Sequence, residues 1–113
     1  MARLNYVELP VEDVARTKSF FLEAFGWSFT DYGDDYAATS GGPANLGLNG
    51  DRSQWTAGPL AVIEVEDIQA REGAIRAAGG VITQPTFAFP GGHRFHFRDP
   101  DGNELAVAQP DRE

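Results

Sequence analysis

Val11-Glu12-Asp13 recurs 54 residues later as Val65-Glu66-Asp67, and this echo decides the fold. At the same offset Ala24 meets Ala78, Gly26 meets Gly80, and Phe21 meets the equally apolar Ile75. An internal repeat at such a period marks two copies of one supersecondary unit. Upstream of the first triplet, Val7, Leu9 and Val11 alternate with Tyr6, Glu8 and Pro10; upstream of the second, Ala61, Ile63 and Val65 alternate with Leu60, Val62 and Glu64. A period of two predicts a strand whose apolar set shares one face.

Glu12-Asp13 and Glu66-Asp67 place carboxylates where a helix must satisfy its first N–H groups. Helical spacing follows in each copy, with Val14, Phe21, Ala24 and Phe25 in one stripe and Ile68, Ile75 and Ala78 in the other. Gly26 and Gly79-Gly80 stand where a helix ends on a left-handed residue. Short β-type runs come next: Trp27 to Tyr32, Tyr36 to Ser40 and Asn45 to Asn49, then Val81 to Gln84, Arg94 to Arg98 and Glu104 to Ala108. The last two flank Asp99-Pro100-Asp101-Gly102-Asn103, a strong turn signal. Each copy therefore reads β-α-β-β-β. We expect an α+β protein with module one at 1–50, a linker at 51–58 and module two at 59–113. A module of about 50 residues buries too little surface alone, so the two should form a single domain.

The chain has 113 residues, a formal net charge of −8 and no cysteine. Such acidity argues against nucleic acid or an anionic membrane as partner. Without cysteine there is no disulfide, thiolate nucleophile or Cys-based zinc site. Met1-Ala2-Arg3-Leu4-Asn5 lacks a signal peptide's apolar region, and no run is long enough to span a membrane. The expected compartment is the cytoplasm. Phosphate-binding glycine loops and a Gly-x-Ser-x-Gly elbow are absent.

The doubled strand-helix-three-strand pattern resembles the vicinal oxygen chelate superfamily, which includes glyoxalase I, bleomycin-resistance proteins and extradiol dioxygenases. The likeness is carried by Val11-x-Asp13 with Ser19-Phe20-Phe21 and Phe25-Gly26-Trp27, and by the terminal Asp99-Pro100-Asp101-Gly102-Asn103 hairpin. It implies a curved mixed sheet around a central cup, a small-molecule ligand inside it, and a homodimer. It also implies a divalent metal held by the first and last strands of each module. The sequence markers carry those four positions onto Tyr6, Gly47, Leu60 and Ala106. Three of these offer no side-chain donor, and a phenol must lose a proton from a pKa near about 10 to ligate strongly. We therefore expect no metal and no other cofactor. His93 and His96 do not repair the loss, because odd spacing on a strand sends them to opposite faces.

Strand parity then nominates a binding face. Tyr6, Glu8, Asn45, Leu60, Val62, Glu64, Arg94, His96 and Ala106 should line it, with Trp55 of the linker at its rim or covering a dimer contact. Glu8 is either a site carboxylate or the partner of Arg94 or His96. His96 is either an acid–base group or a hydrogen-bonded structural histidine. Trp27 is expected in the core, and Phe87, Phe89 and Pro90-Gly91-Gly92 as a closing or packed loop. Three functions remain open. The leading one is a metal-independent protein that binds or sequesters a small, partly apolar molecule. The second is a metal-free isomerase or lyase using Glu8 or His96, and the third a metalloenzyme with the unorthodox ligands Glu8, Glu64 and His96.

Overall fold

A computed structural model of the chain describes residues 2–111. It resolves into two compact units, Tyr6–Leu60 and Ala61–Glu113, the latter joined by Met1–Asn5. The elements follow the β-α-β-β-β order twice: β1 (Arg3–Pro10), α1 (Val14–Phe25), β2 (Thr30–Asp31), β3 (Tyr36–Ala38) and β4 (Asn45–Asn49), then β5 (Leu60–Glu64), α2 (Ile68–Ala77), β6 (Val81–Phe89), β7 (Gly92–Arg98) and β8 (Glu104–Pro110). The expected α+β class of two βαβββ modules is what the chain adopts.

In the first module the strand order is β2-β3-β4-β1, with β1 and β4 parallel and the other pairs antiparallel. Asp13 caps α1 by accepting from the Arg16 N–H at 3.0 Å, and Gly26 ends it at φ 75, donating to the Leu22 carbonyl. Register aligns Glu8 with Gly47 and Gly47 with Ala38, so Tyr6, Glu8, Tyr36, Ala38 and Gly47 share one face. Leu48 and Ala37 are fully buried on the other.

Two expectations fail here. The Trp27 to Tyr32 run contracts to a two-residue strand, Thr30–Asp31. Trp27 is not core but 42% exposed, because the chain turns at Gly26 and stacks the indole on Phe21 and Phe25 at the helix end. No residue of α1 is buried, and Val7 is half-exposed, so the helix covers only part of its sheet.

In the second module the order is β5-β8-β7-β6, with β5 and β8 parallel. Asp67 caps α2 through the Ala70 N–H at 3.1 Å, and the Gln109 amide oxygen accepts from the Ile68 N–H. Val65, Ile68, Phe95, Phe97 and Val107 form the core, with Ile63, Ile75, Ile82 and Leu105 against it. Ile63 and Val65 come from the alternating set of the strand, and Ile68 and Ile75 from the helical stripe. The expected loop through Phe87 and Phe89 is instead strand. Register shifts on either side of Gln84 accommodate Pro85, which has no N–H to give a ladder, and β6 then continues to pair Phe87 with Arg94 and Phe89 with Gly92. Only Pro90-Gly91 remains as the turn.

Candidate functional site

The face of the first module that carries Glu8 is organised by two tyrosines and a carboxylate. Glu8, on β1, is only 5% exposed, and its Oε2 accepts a hydrogen bond from the Tyr36 hydroxyl at 2.9 Å. The Tyr36 hydroxyl also bonds the Tyr6 hydroxyl. Burial, and then the negative charge of Glu8, push the Tyr36 phenol well above its ordinary pKa, so it stays protonated. Gly47 makes the arrangement possible. A Cβ there would overlap both tyrosine hydroxyls and lie 2.8 Å from Tyr6 Cζ. The oxygens thus fill the space a side chain at position 47 would need. Tyr36 was missed in the sequence reading, although its registry beside Asn49 and Gly47 puts it on the Glu8 face.

A second polar cluster lies on the second module. Arg94 Nη2 contacts His96 Nε2 at 3.0 Å, and His96 Nδ1 contacts Glu104 Oε2 at 3.1 Å. A guanidinium can only donate, so Nε2 must accept, and the ring proton sits on Nδ1 facing the carboxylate. This assignment of tautomer comes from the partners. His96 is 1% exposed, and the Phe87 ring lies near both it and the Arg94 guanidinium. With both ring nitrogens engaged, the geometry matches the hydrogen-bonded structural histidine more closely than a proton-transfer group. His93 falls on the opposite face, as its spacing required.

The remaining candidates are scattered in role. Leu60, Val62 and Ala106 are at most 5% exposed and belong to the buried apolar set. Glu64 accepts from Arg3 at 2.9 Å and Asn5 at 3.1 Å, and these bonds, that from Asn5 first, hold its carboxyl below the usual range. The Asn45 amide closes the preceding turn, its oxygen accepting from the Thr39 hydroxyl at 3.0 Å. Trp55 folds back onto its own module, donating from Nε1 to the Asn49 carbonyl at 2.8 Å with the Arg52 guanidinium above its ring. On the helix side of the first module, a hollow of about 600 Å3 lies among Val7, Trp27, Leu46 and Asn45, away from Glu8.

Could these residues hold a divalent cation? The four positions implied by the resemblance are a phenol already engaged with Tyr36, a glycine, and two apolar side chains at most 1% exposed. That donor set does not fit such an ion. Among the described residues no group of three or more His, Asp or Glu is placed to hold a metal.

The family model described as Glyoxalase/Bleomycin resistance protein/Dioxygenase superfamily matches residues 3–107. No curated protein matches the chain. Among solved structures, it is similar to an NAD-dependent benzaldehyde dehydrogenase from Legionella pneumophila, with 18% identity, TM-score 0.77, and 95% of this chain and 99% of that one covered. It is also similar to methylmalonyl-CoA epimerase from Mycobacterium tuberculosis, with 17% identity, TM-score 0.76, and 96% and 88% covered. A third likeness is to a glyoxalase/bleomycin resistance protein/dioxygenase superfamily member from Vibrio splendidus, with 17% identity, TM-score 0.68, and 98% and 100% covered. At such identities the structures speak for the fold alone.

Proposed function

Since the chain belongs to the glyoxalase/bleomycin resistance protein/dioxygenase superfamily, we propose that it binds or sequesters a small, partly apolar molecule without a metal ion, at the sheet face carrying Tyr6, Glu8 and Tyr36. One observation carries this reading: the hydroxyls of Tyr6 and Tyr36 occupy the place of a side chain at Gly47 and engage one another and Glu8, where a metal site would need open donors. A few convergent polar groups beside apolar walls are the usual make-up of a small-molecule site. Native mass spectrometry of the purified protein, before and after mild unfolding, is the test. The proposal expects a small organic adduct on the parent chain that is depleted in Glu8→Gln. An adduct retained in full by that variant counts against this face.

A second reading, a metal-free isomerase or lyase, is favoured at Glu8 rather than His96. Glu8 is a buried carboxylate with a phenol donor beside it, whereas both His96 nitrogens are already engaged. Turnover lost in Glu8→Gln and kept in His96→Gln would support it. We further propose a cytoplasmic homodimer. Exposed Phe20, Leu22, Phe25 and Trp27 in the first module support the association, and light scattering that finds a monomer at micromolar concentration would contradict it.

A further inference from the structure

We propose that the Asn49 carboxamide is a hydrogen-bond donor of the binding face, taking the carbonyl oxygen of a neutral ketone, ester or carboxamide whose apolar body lies over Pro10 and Tyr36. This rests on the reading of that face as a binding site and names the class of ligand it takes.

Register places Asn49 beside Tyr36 of β3 and Pro10 of β1, two residues beyond Gly47, so its side chain stands on the face that carries Glu8. Asn49 is only 6% exposed. The orientation of its amide follows from one partner. The Asp51 N–H lies 3.0 Å from Oδ1, and a backbone N–H can only donate, so the atom facing it is the oxygen and the nitrogen points the other way. Nδ2 therefore brings two N–H donors to the face, and among the described residues no group accepts from either. The nitrogen is not sealed in, so a narrow opening leads to it. Buried donors are costly to leave unmet, and an acceptor from outside the chain meets them. Nor can the amide swing away to find one. The Asn49 carbonyl accepts from the Val11 N–H at 2.9 Å and from Trp55 Nε1 at 2.8 Å, and the Gly50 N–H donates to the Asp35 carbonyl at 2.7 Å. With Oδ1 tied to Asp51 as well, the donors are fixed before a ligand arrives, which lowers the cost of ordering them. An uncharged amide suits an uncharged acceptor, whereas a carboxylate would give up its water to a neutral donor.

Acetophenone and α-methylstyrene test this, because they share a ring and an outline and differ in a carbonyl oxygen against a methylene. Each is titrated into the full chain while the side-chain NH2 resonances of Asn49 and the backbone amides of Tyr36 and Gly47 are followed. Acetophenone should bind about fivefold more tightly, the worth of one neutral hydrogen bond. It should also move an Asn49 Nδ2 proton downfield, which α-methylstyrene should not. Asn49→Asp keeps an oxygen for the Asp51 N–H and replaces the donors by a second oxygen, so the preference should vanish. Should that variant fold poorly, the Asn49 protons of the parent chain still decide. Equal affinity for the two probes, acetophenone binding that leaves those protons unmoved, or a preference kept by a folded Asn49→Asp overturns Asn49 as the donor while leaving the binding face intact. If neither probe shifts Tyr36 or Gly47 at millimolar concentration, the binding face itself is overturned, and Asn49 with it. Shifts confined to Val7, Trp27 and Leu46 would do the same and place binding in the hollow on the other side of the sheet.

Discussion

Gly47→Ala is the most informative single change to the scaffold, because a methyl group tests whether the tyrosine hydroxyls truly occupy the space beside β4. The added Cβ overlaps both hydroxyls and approaches Tyr6 Cζ to 2.8 Å, so both rings must move. Forcing atoms into a filled site costs about 1–3 kcal/mol. Moving Tyr36 also strips the buried Glu8 carboxylate of a donor, and hydrogen bonds to charged groups contribute about 1.5–3 kcal/mol. Replacing a strand glycine returns about 0.5–1 kcal/mol through the unfolded chain. The net loss should be about 2–5 kcal/mol, read by urea unfolding at neutral pH. Combining Gly47→Ala with Tyr6→Phe and Tyr36→Phe should be less damaging than the separate losses added together, by at least about 1 kcal/mol, since the clashing oxygens are gone. A Gly47→Ala protein within about 0.5 kcal/mol of the parent would refute the packing described here.

Three further outcomes follow from particular groups. Because burial and Glu8 raise the Tyr36 phenol, the folded chain keeps a proton that the unfolded chain releases near about pH 10. Its stabilising effect is complete below that pH and declines as the pH rises beyond it, by about 1.4 kcal/mol per pH unit; unfolding at pH 10 to 12 should show a steeper fall in the parent than in Tyr36→Phe, and equal slopes would contradict the assignment. Glu64 has the opposite sign: Asn5 and Arg3 lower its carboxyl, so its contribution is present above the usual carboxylate range and is lost as the pH falls through the lowered value. Glu64→Gln should accordingly flatten the acid limb of the stability curve, and an unchanged limb would show that these bonds do not persist in solution. Asp67→Ala removes the cap on the Ala70 N–H and should cost about 1 kcal/mol, while Asp67→Asn, which keeps an acceptor oxygen, should cost much less by the same denaturant assay.

The fold was legible because its signals are local. Alternation at Ile63, Val65, Phe95, Phe97, Leu105 and Val107 matches the core of the second module, and Asp13, Asp67 and Gly26 act as caps where the pattern put them. The strand β6 runs past the Val81 to Gln84 stretch because register shifts on either side of Gln84 absorb Pro85, which only the pairing with β7 reveals. Trp27 was misplaced for a related reason: aromatic size argues for the core, but the direction of the chain after Gly26 decides where the ring lies. The site was legible only in part. Parity nominates Tyr6, Glu8 and His96 for one binding face, yet the link from Glu8 to Tyr36 depends on the pairing of β3 with β4 and is invisible in spacing. The same limit hid the engagement of His96 by Glu104, which the β7–β8 register brings together, whereas Arg94 lies two residues away on the same strand.

The central claim is that the chain holds its ligand without a divalent ion, because the four positions the resemblance implies carry a phenol, a glycine and two apolar side chains. Isothermal titration of the metal-stripped chain with Mn2+, Ni2+ and Zn2+, paired with elemental analysis of the protein as purified, tests it most directly. The account predicts no stoichiometric ion in the purified protein and no saturable binding that Tyr6→Phe or Glu8→Gln weakens. One equivalent of any of these ions, bound tightly by the parent and lost in either variant, would contradict it.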